Sequence, residues 1–347
     1  MRRFIAPLLA LPFALSTALA QESATSSIKI SGFGTGALTW TNTDDAQFVR
    51  ASQASGAVKS PRTGVDSNLG LQIDARINDW ISLTGQGLVR KAGEDNYGAD
   101  ATLAFAKFTL SDNLSVRAGR VGLPLFMISD YRNVGYANIM LRPPTELYNL
   151  VPINSLDGAD ATWRQNVGNT TLTGQLAYGR TKEKAPGGLA MLAITDHRVV
   201  NLSAEHGPFT ARIVRSDAKY SFETGDFATP KRKISFTGAG LGMDWNNIVL
   251  QSEYGQTRGV GAGKNAWYLM AGYRIGKFVP FYNHGRVTGE NRQTTDSIGL
   301  RWDAFSSAAV KFQLDRVKPE GAGMFVNVKP GFDGPVTVGA VSVDFVF

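Results

Sequence analysis

Apolar and polar residues alternate with a period of two along most of this chain. Leu69, Leu71, Ile73, Ala75 and Ile77 interleave with Gly70, Gln72, Asp74 and Arg76; Trp267, Leu269, Ala271, Tyr273 and Ile275 interleave with Tyr268, Met270, Gly272 and Arg274. Successive side chains of a strand point to opposite faces, so each run predicts a strand with one apolar and one polar face. The pattern predicts sixteen strands, at 28–40, 66–77, 80–90, 100–110, 113–120, 158–165, 169–180, 192–205, 209–216, 233–245, 248–258, 266–276, 278–288, 295–303, 308–317 and 338–347. In 100–110 and 278–288 the alternation does not decide which face is which. The connectors alternate too. Asn78-Asp79, Ser111-Asp112, Asn246-Asn247 and Gly276-Lys277 are short, whereas 41–65, 121–157, 217–232 and 318–337 are long. The fold class is all-β.

Alternation alone suits a soluble sandwich, apolar face inward, or a membrane barrel, apolar face toward lipid. Length and loops decide. Runs of about ten residues match a tilted span of the hydrocarbon layer. Short turns on one side and long loops on the other mark an outer-membrane barrel. Trp40, Trp80, Tyr178, Trp245, Tyr254, Trp267, Phe278 and Trp302 fall near strand ends, where aromatic belts sit. A strand in lipid needs partners on both edges, so the final strand, which closes on Phe347, is predicted to pair with 28–40. The expectation is a sixteen-stranded antiparallel transmembrane β-barrel with short periplasmic turns and long external loops.

The N-terminus adds a leader. Met1-Arg2-Arg3 is basic, Phe4 to Leu15 is apolar, and Ala18-Leu19-Ala20 supplies a small-residue cleavage site. This order predicts a secretory signal peptide at 1–20 and a single barrel domain at 21–347. Loss of Arg2 and Arg3 takes the formal charge from +7 to +5. The chain has no Cys and 3 His, which leaves no disulfide framework and no metal-ligand spacing. Its Lys and Arg are dispersed rather than gathered on one surface, against nucleic acid. The short run Lys231-Arg232-Lys233 suits lipopolysaccharide phosphates. Gly32-Phe33-Gly34-Thr35-Gly36 is followed by no helix, so it reads as a tightly curved strand rather than a nucleotide loop. Asp196 and His197 are neighbours on one strand and point to opposite faces, so no catalytic pair is expected from them. No cofactor and no enzyme activity are expected; a barrel hydrolase and an adhesin are distant alternatives.

The leader, the sixteen alternating strands, the absence of Cys and the terminal Phe347 together resemble the Gram-negative outer-membrane porins. The resemblance covers the whole mature chain and rests on architecture. It implies passive diffusion of small hydrophilic solutes and ions, a homotrimer, residence among outer-membrane lipid and lipopolysaccharide, and Phe347 as the signal read by the barrel-assembly machinery. It also implies that the long segment 121–157 folds into the pore as a constriction loop. Gly119-Arg120 followed by Leu123-Pro124-Leu125 resembles the way many porins enter that loop, although the Pro-Glu-Phe-x-Gly motif of enteric porins is missing. Phe126, Met127, Tyr131, Tyr136, Ile139, Met140, Leu147 and Tyr148 give the segment an apolar content that needs a packing partner.

The alternation also assigns lumen charges. The basic ones are Lys29, Arg76, Arg90, Arg117, Arg164, Arg212, Arg274, Arg301 and Lys311; the acidic ones are Asp74, Asp160, Glu205, Glu253, Asp303, Asp315 and Asp344. The constriction loop adds Arg120, Arg132 and Arg142 against Asp130, Glu146 and Asp157. With the loop charges nearly cancelling, Arg76, Arg90, Arg117 and Arg164 on strands beside the loop predict a mild anion preference. The alternative is a solute-selective channel for phosphate or a carboxylate.

Overall fold

The computed structural model describes residues 27–93, 95–185, 189–261 and 263–347; the leader at 1–20 lies outside them. The predicted alternation becomes the two faces of one closed sheet. Leu69, Leu71 and Ile73 are 50%, 48% and 45% exposed on the outside, and Gln72 and Asp74 bond to each other on the inside. An apolar outer surface of this kind would be untenable in water and is what lipid requires.

The ring strands are β1 (Ile28–Thr41), β2 (Asn68–Arg76), β3 (Ile81–Lys91), β4 (Tyr97–Ser111), β5 (Leu114–Gly122), β6 (Ser155–Val167), β7 (Thr170–Lys184) and β8 (Met191–His206). They continue with β9 (Phe209–Thr224), β10 (Arg232–Trp245), β11 (Ile248–Arg258), β12 (Lys264–Tyr273), β13 (Phe278–Gly289), β14 (Gln293–Phe305), β15 (Ala308–Pro319) and β16 (Val336–Val346). All neighbours are antiparallel, and β1 pairs with both β2 and β16, so the ring has no free edge. A two-residue pairing, Phe227–Ala228 with Glu223–Thr224, extends one hairpin outside the ring.

Connectors 77–80, 112–113, 168–169, 207–208, 246–247, 274–277 and 306–307 lie at one end. Asn246 and Asn247 both have positive φ (47° and 70°), the conformation of a two-residue hairpin turn that matches the strand twist. The long connectors lie at the other end. Two of them, 42–67 and 320–335, share an apolar cluster of Phe48, Ala57 and Val65 with Phe325, Val336 and Val338.

The differences from the sequence reading have local causes. Strand nine runs to Thr224 rather than 216. Beyond Ile213 its outward residues become Arg215, Asp217 and Lys219, paired as Arg215–Asp217 and Lys219–Asp196, so the apolar signal stops while the strand continues. In β4 a bulge leaves Thr102 without an opposite residue on β3, and the alternation changes phase there. In β13 the inward residues Val279, Phe281 and Val287 are themselves apolar and buried, because something apolar packs against them from within.

The closing seam is built from aromatic rings over glycines. A Cβ on Gly32 or Gly34 would fall on the rings of Phe347 or Phe345. The two rings stack 6.5 Å apart, and Phe347 and Gly32 exchange backbone hydrogen bonds of 2.9 and 3.0 Å. The glycine-rich run Gly32–Gly36 is therefore a curved strand whose bare backbone is covered by rings of its last neighbour.

Candidate functional site: a lumen divided by an inserted loop

The chain leaves β5 at Gly122 and rejoins the ring at Ser155. Between them, segment 123–154 folds into the barrel. Leu123, Leu125, Phe126, Ile128, Leu147, Tyr148 and Ile153 are buried against Val199, Phe236, Tyr268, Met270, Phe281 and Val287 of the wall. Phe126 lies 4.5 Å from Tyr148 and edge-on to Phe236 at 5.4 Å. Each fully buried large side chain contributes about 1.5–3 kcal/mol of transfer free energy, which opposes the ordering of so long a segment. Small wall residues make room: a Cβ at Gly240 would sit 2.7 Å from Met127 Cγ, and one at Gly255 would sit 2.7 Å from Leu147 Cδ1.

Polar contacts fix the loop's path. Arg142 Nη2 donates to Asp66 Oδ2 at 2.7 Å and Nη1 to Asp315 Oδ2 at 2.5 Å, with its guanidinium over Phe48 at 5.0 Å. Glu253 accepts the Met127 N–H at 2.7 Å and the hydroxyls of Tyr148 and Tyr268 at 2.5 and 2.8 Å. Lys311 bonds Asp344 at 3.0 Å and donates to the Gly135 and Met140 carbonyls at 2.7 and 3.1 Å. Arg301 donates to the Tyr136 and Asn138 carbonyls at 2.6 and 2.8 Å. Glu146 accepts from Gln293 at 2.6 Å and from Thr295. Tyr136 reaches the short-turn end itself, donating to the Ser306 carbonyl at 2.7 Å. The loop thus lines the β10–β16 and β1 side of the lumen down to that end.

The space left lies along β2–β9. A cavity of about 660 Å³ is bounded by Asp74, Lys107, Arg117, Arg164, Glu205 and Arg212 on the wall and by Phe126, Met127 and Asp130 on the loop. Its charges nearly balance. Arg117 Nε bonds buried Asp160 at 2.9 Å, Arg164 lies 3.8 Å from Glu205, and Arg212 donates to Asn201 at 2.8 Å and to the Pro124 carbonyl. Side chains of both signs across a wet gap orient polar solutes.

The residues singled out in the sequence therefore separate into groups. Arg117, Arg164, Arg212, Glu205 and Asp130 come together around the cavity. Arg76 does not join them; it pairs with Asp79 at 2.8 Å across the first short turn, both exposed. Arg120 and Asp157 face each other in the β5–β6 ladder and pair at 2.6 Å at the base of the loop. Arg142, Glu146 and Glu253 are anchors. The loop charges thus do not act as one cancelling set: Arg120 and Asp157 pair with each other, Arg142 and Glu146 are held by groups outside the loop, and Asp130 and Arg132 remain. Lys107 joins the cavity without having been assigned a face, because the β4 bulge hides its phase. Asp196 bonds Lys219 and His197 bonds Ser216 at 2.8 Å, so the two neighbours have separate partners.

Arg132 stands apart. It is 9% exposed, its guanidinium lies over Tyr148 at 5.9 Å, and its Nε has no hydrogen-bond partner. Burial, then the charges of Arg90 and Arg50, bring its pKa down to about 9, against the pull of Tyr148 and Glu183; at pH 7 it stays protonated. Arg90 Nε is also buried and unpaired. Arg50 comes from connector 42–67, where no alternation marks it as functional.

No protein-family profile matches the chain, and no curated protein matches it in sequence. Solved structures do match in fold. The anion-selective porin from Comamonas acidovorans is 15% identical, with a TM-score of 0.61 over 93% of this chain and 100% of that one. Salmonella typhi OmpF, in a complex with daunomycin, is 15% identical, with a TM-score of 0.62 over 92% and 97%. The trimer form of Vibrio cholerae OmpT, an outer membrane protein, is 11% identical, with a TM-score of 0.58 over 93% and 100%. The chain has the sixteen-stranded porin fold.

Proposed function

From the porin fold as premise, we propose that this chain is an outer-membrane channel for passive diffusion of small hydrophilic solutes and ions. The observation that carries the reading is the divided lumen: an apolar outer face, a loop packed against one wall, and a charged, polar passage left along β2–β9. The outer face supports residence in lipid, and the trimer form of the similar OmpT supports a homotrimer. The leader at 1–20 fits export to that membrane.

The reading includes a mild anion preference, carried by a set of arginines that keeps Arg90 from the four the strand pattern suggested and adds Arg50 and Arg132. The cavity along β2–β9 is close to charge balance, and Arg76 and Arg117 are paired. Arg90 and Arg132 have no ion-pair partner among the described residues, and with Arg50 they leave an excess of positive charge near the long-loop end. The test is single-channel recording of the full chain in planar bilayers, with the reversal potential read under a salt gradient. Ohmic channels with a small anion preference that fades as salt rises are expected. A folded barrel that inserts and passes no current would overturn the reading.

A further inference from the structure

The inserted loop leaves a second space on its other side. A cavity of about 230 Å³ lies between the loop and β10–β12, lined by Ile128, Ile139 and Met140 of the loop and by Val249 and Met270 of the wall. It shares no lining residue with the passage along β2–β9. Asp244, near the end of β10, and Arg274, just after β12, place its mouth at the short-turn end. There Arg274 Nη2 donates to Asp244 Oδ2 at 2.7 Å and Nη1 to the other oxygen, so the two charges satisfy each other. Tyr268, fully buried, closes the far end. Ile139 and Val249 are only partly covered, and Tyr131 is 40% exposed. Two polar groups of the lining lack a partner: among the described residues, neither the Gln251 amide nor the Tyr131 hydroxyl forms a hydrogen bond.

We propose that this pocket behind the loop binds an uncharged aromatic molecule of one or two fused rings with a single hydrogen-bonding group, of the phenol or indole class. Apolar walls with a few convergent polar groups are the general form of a small-molecule site. An apolar cavity of about 150 Å³ holds a benzene ring, so this larger one has room for a fused pair. The amide of Gln251 and the hydroxyl of Tyr131 each donate and accept, which suits a hydroxyl or ring N–H on the ligand. The ion pair at the mouth offers no free countercharge, so a charged ligand would lose its hydration without a partner. The loop also carries its two spaces on opposite faces: Ile128 and Tyr131 border the pocket, whereas Met127, Ser129 and Asp130 border the passage. A ring seated behind the loop therefore steadies the residues that narrow the passage. This effect on current, unlike the binding itself, rests on the channel reading above.

The experiment uses the full chain folded in detergent micelles and, in parallel, in planar bilayers. The probe is 5-fluoroindole, read by broadening of its fluorine resonance, with indole and toluene as competitors. Saturable broadening is expected, displaced by indole and at least tenfold more weakly by toluene, which lacks the hydrogen-bonding group. Val249→Trp fills the pocket and Gln251→Ala removes the free amide; each should weaken binding at least tenfold, with folding read by heat-modifiable migration. If Val249→Trp does not fold, Gln251→Ala and Tyr131→Phe carry the test. In bilayers indole should lower the open-channel noise of the wild type and leave that of Gln251→Ala unchanged. Broadening that rises without saturating is uptake into micelles and overturns the site. Wild-type affinity in the folded variants also overturns it, and so does toluene competing as well as indole. A chain that conducts ions but binds no indole saturably loses this site and keeps the channel reading. A chain that binds indole and forms no channel loses the channel reading alone.

Discussion

Arg142 and Asp66 meet at 2.7 Å with each only 2% exposed, and this buried pair joins the inserted loop to the connector that precedes β2. Asp315 on β15 takes the other side of the same guanidinium. One side chain therefore ties together three parts of the chain that lie far apart in sequence. Removing one partner of a buried ion pair costs about 3–5 kcal/mol, because the other charge is left uncompensated. Arg142→Ala should loosen segment 123–154, raise single-channel conductance and open-channel noise, and expose Arg132 to trypsin. Unchanged noise together with unchanged trypsin resistance would show that the clamp does not hold the loop.

The loop anchors also give a pH dependence with two opposite signs. Burial pushes the Glu146 carboxyl above its ordinary value, against the hydrogen bonds from Thr295 and Gln293. Its folded form holds the proton more tightly than its unfolded form, so stability is present in acid and falls as pH rises through the folded value. For Asp66 burial also pushes upward, but Arg142, Arg50 and Thr39 outweigh it and hold the carboxyl below its ordinary range. That stability is present above the usual aspartate range and is lost as pH falls through the folded value. Glu146→Gln should unfold at a higher temperature than wild type at pH 8 and converge with it at pH 4. Asp66→Asn should unfold at a lower temperature at pH 8 and converge near pH 2. Heat-modifiable migration on gels reads both.

Selectivity separates charges that act on the passage from charges that act on each other. Asp130 borders the cavity and forms no ion pair among the described residues. Asp130→Asn should shift the reversal potential toward anions at low salt, by an amount that shrinks as the Debye length falls below about 8 Å. Arg76→Gln should leave it within error, because Arg76 is exposed at the turn beside Asp79. A larger shift from Arg76 than from Asp130 would reverse this assignment.

Phe347 covers Gly32 and exchanges two backbone hydrogen bonds with it at the closing seam. Cross-strand aromatic contacts of this sort contribute roughly 0.2–1 kcal/mol, yet this one lies where the ring must close. Phe347→Ala should lower the yield of heat-modifiable barrel and slow its insertion into lipid vesicles, while barrels that do form conduct as wild type. An unaltered yield and rate would deny the residue a role in assembly.

Accessibility to protease should follow packing rather than loop length. Connectors 42–67 and 320–335 share an apolar cluster, whereas Lys231 and Arg232 beside connector 225–231 are exposed. Trypsin added to intact cells should cut first at 231–233. First cuts within 42–67 would show that the shared cluster opens readily, and cuts confined to Arg76, Arg274 or Lys277 at the short-turn end would reverse the assigned orientation.

The sequence alone determined the barrel. Side-chain facing in a strand has a period of two, and lipid and lumen demand opposite polarity, so each strand carries its own label. Sixteen strands, their antiparallel order and the closure of the last on the first were legible for that reason. The two strands whose facing stayed open, β4 and β13, are those where tertiary contacts override the label: a bulge at Thr102 shifts the phase, and inward Val279 and Phe281 meet the inserted loop. The loop's apolar content announced that it packs against something, but only the tertiary structure decided where. The fate of each charge was also a tertiary matter. Arg117 and Arg142 look alike in sequence, yet one borders the passage and the other is sealed between Asp66 and Asp315. Arg50, in a connector without periodicity, joins Arg90 and Arg132 only because the fold brings the three together. A charge acts according to the partners within a few ångströms of it, and here those partners lie tens to hundreds of residues away along the chain.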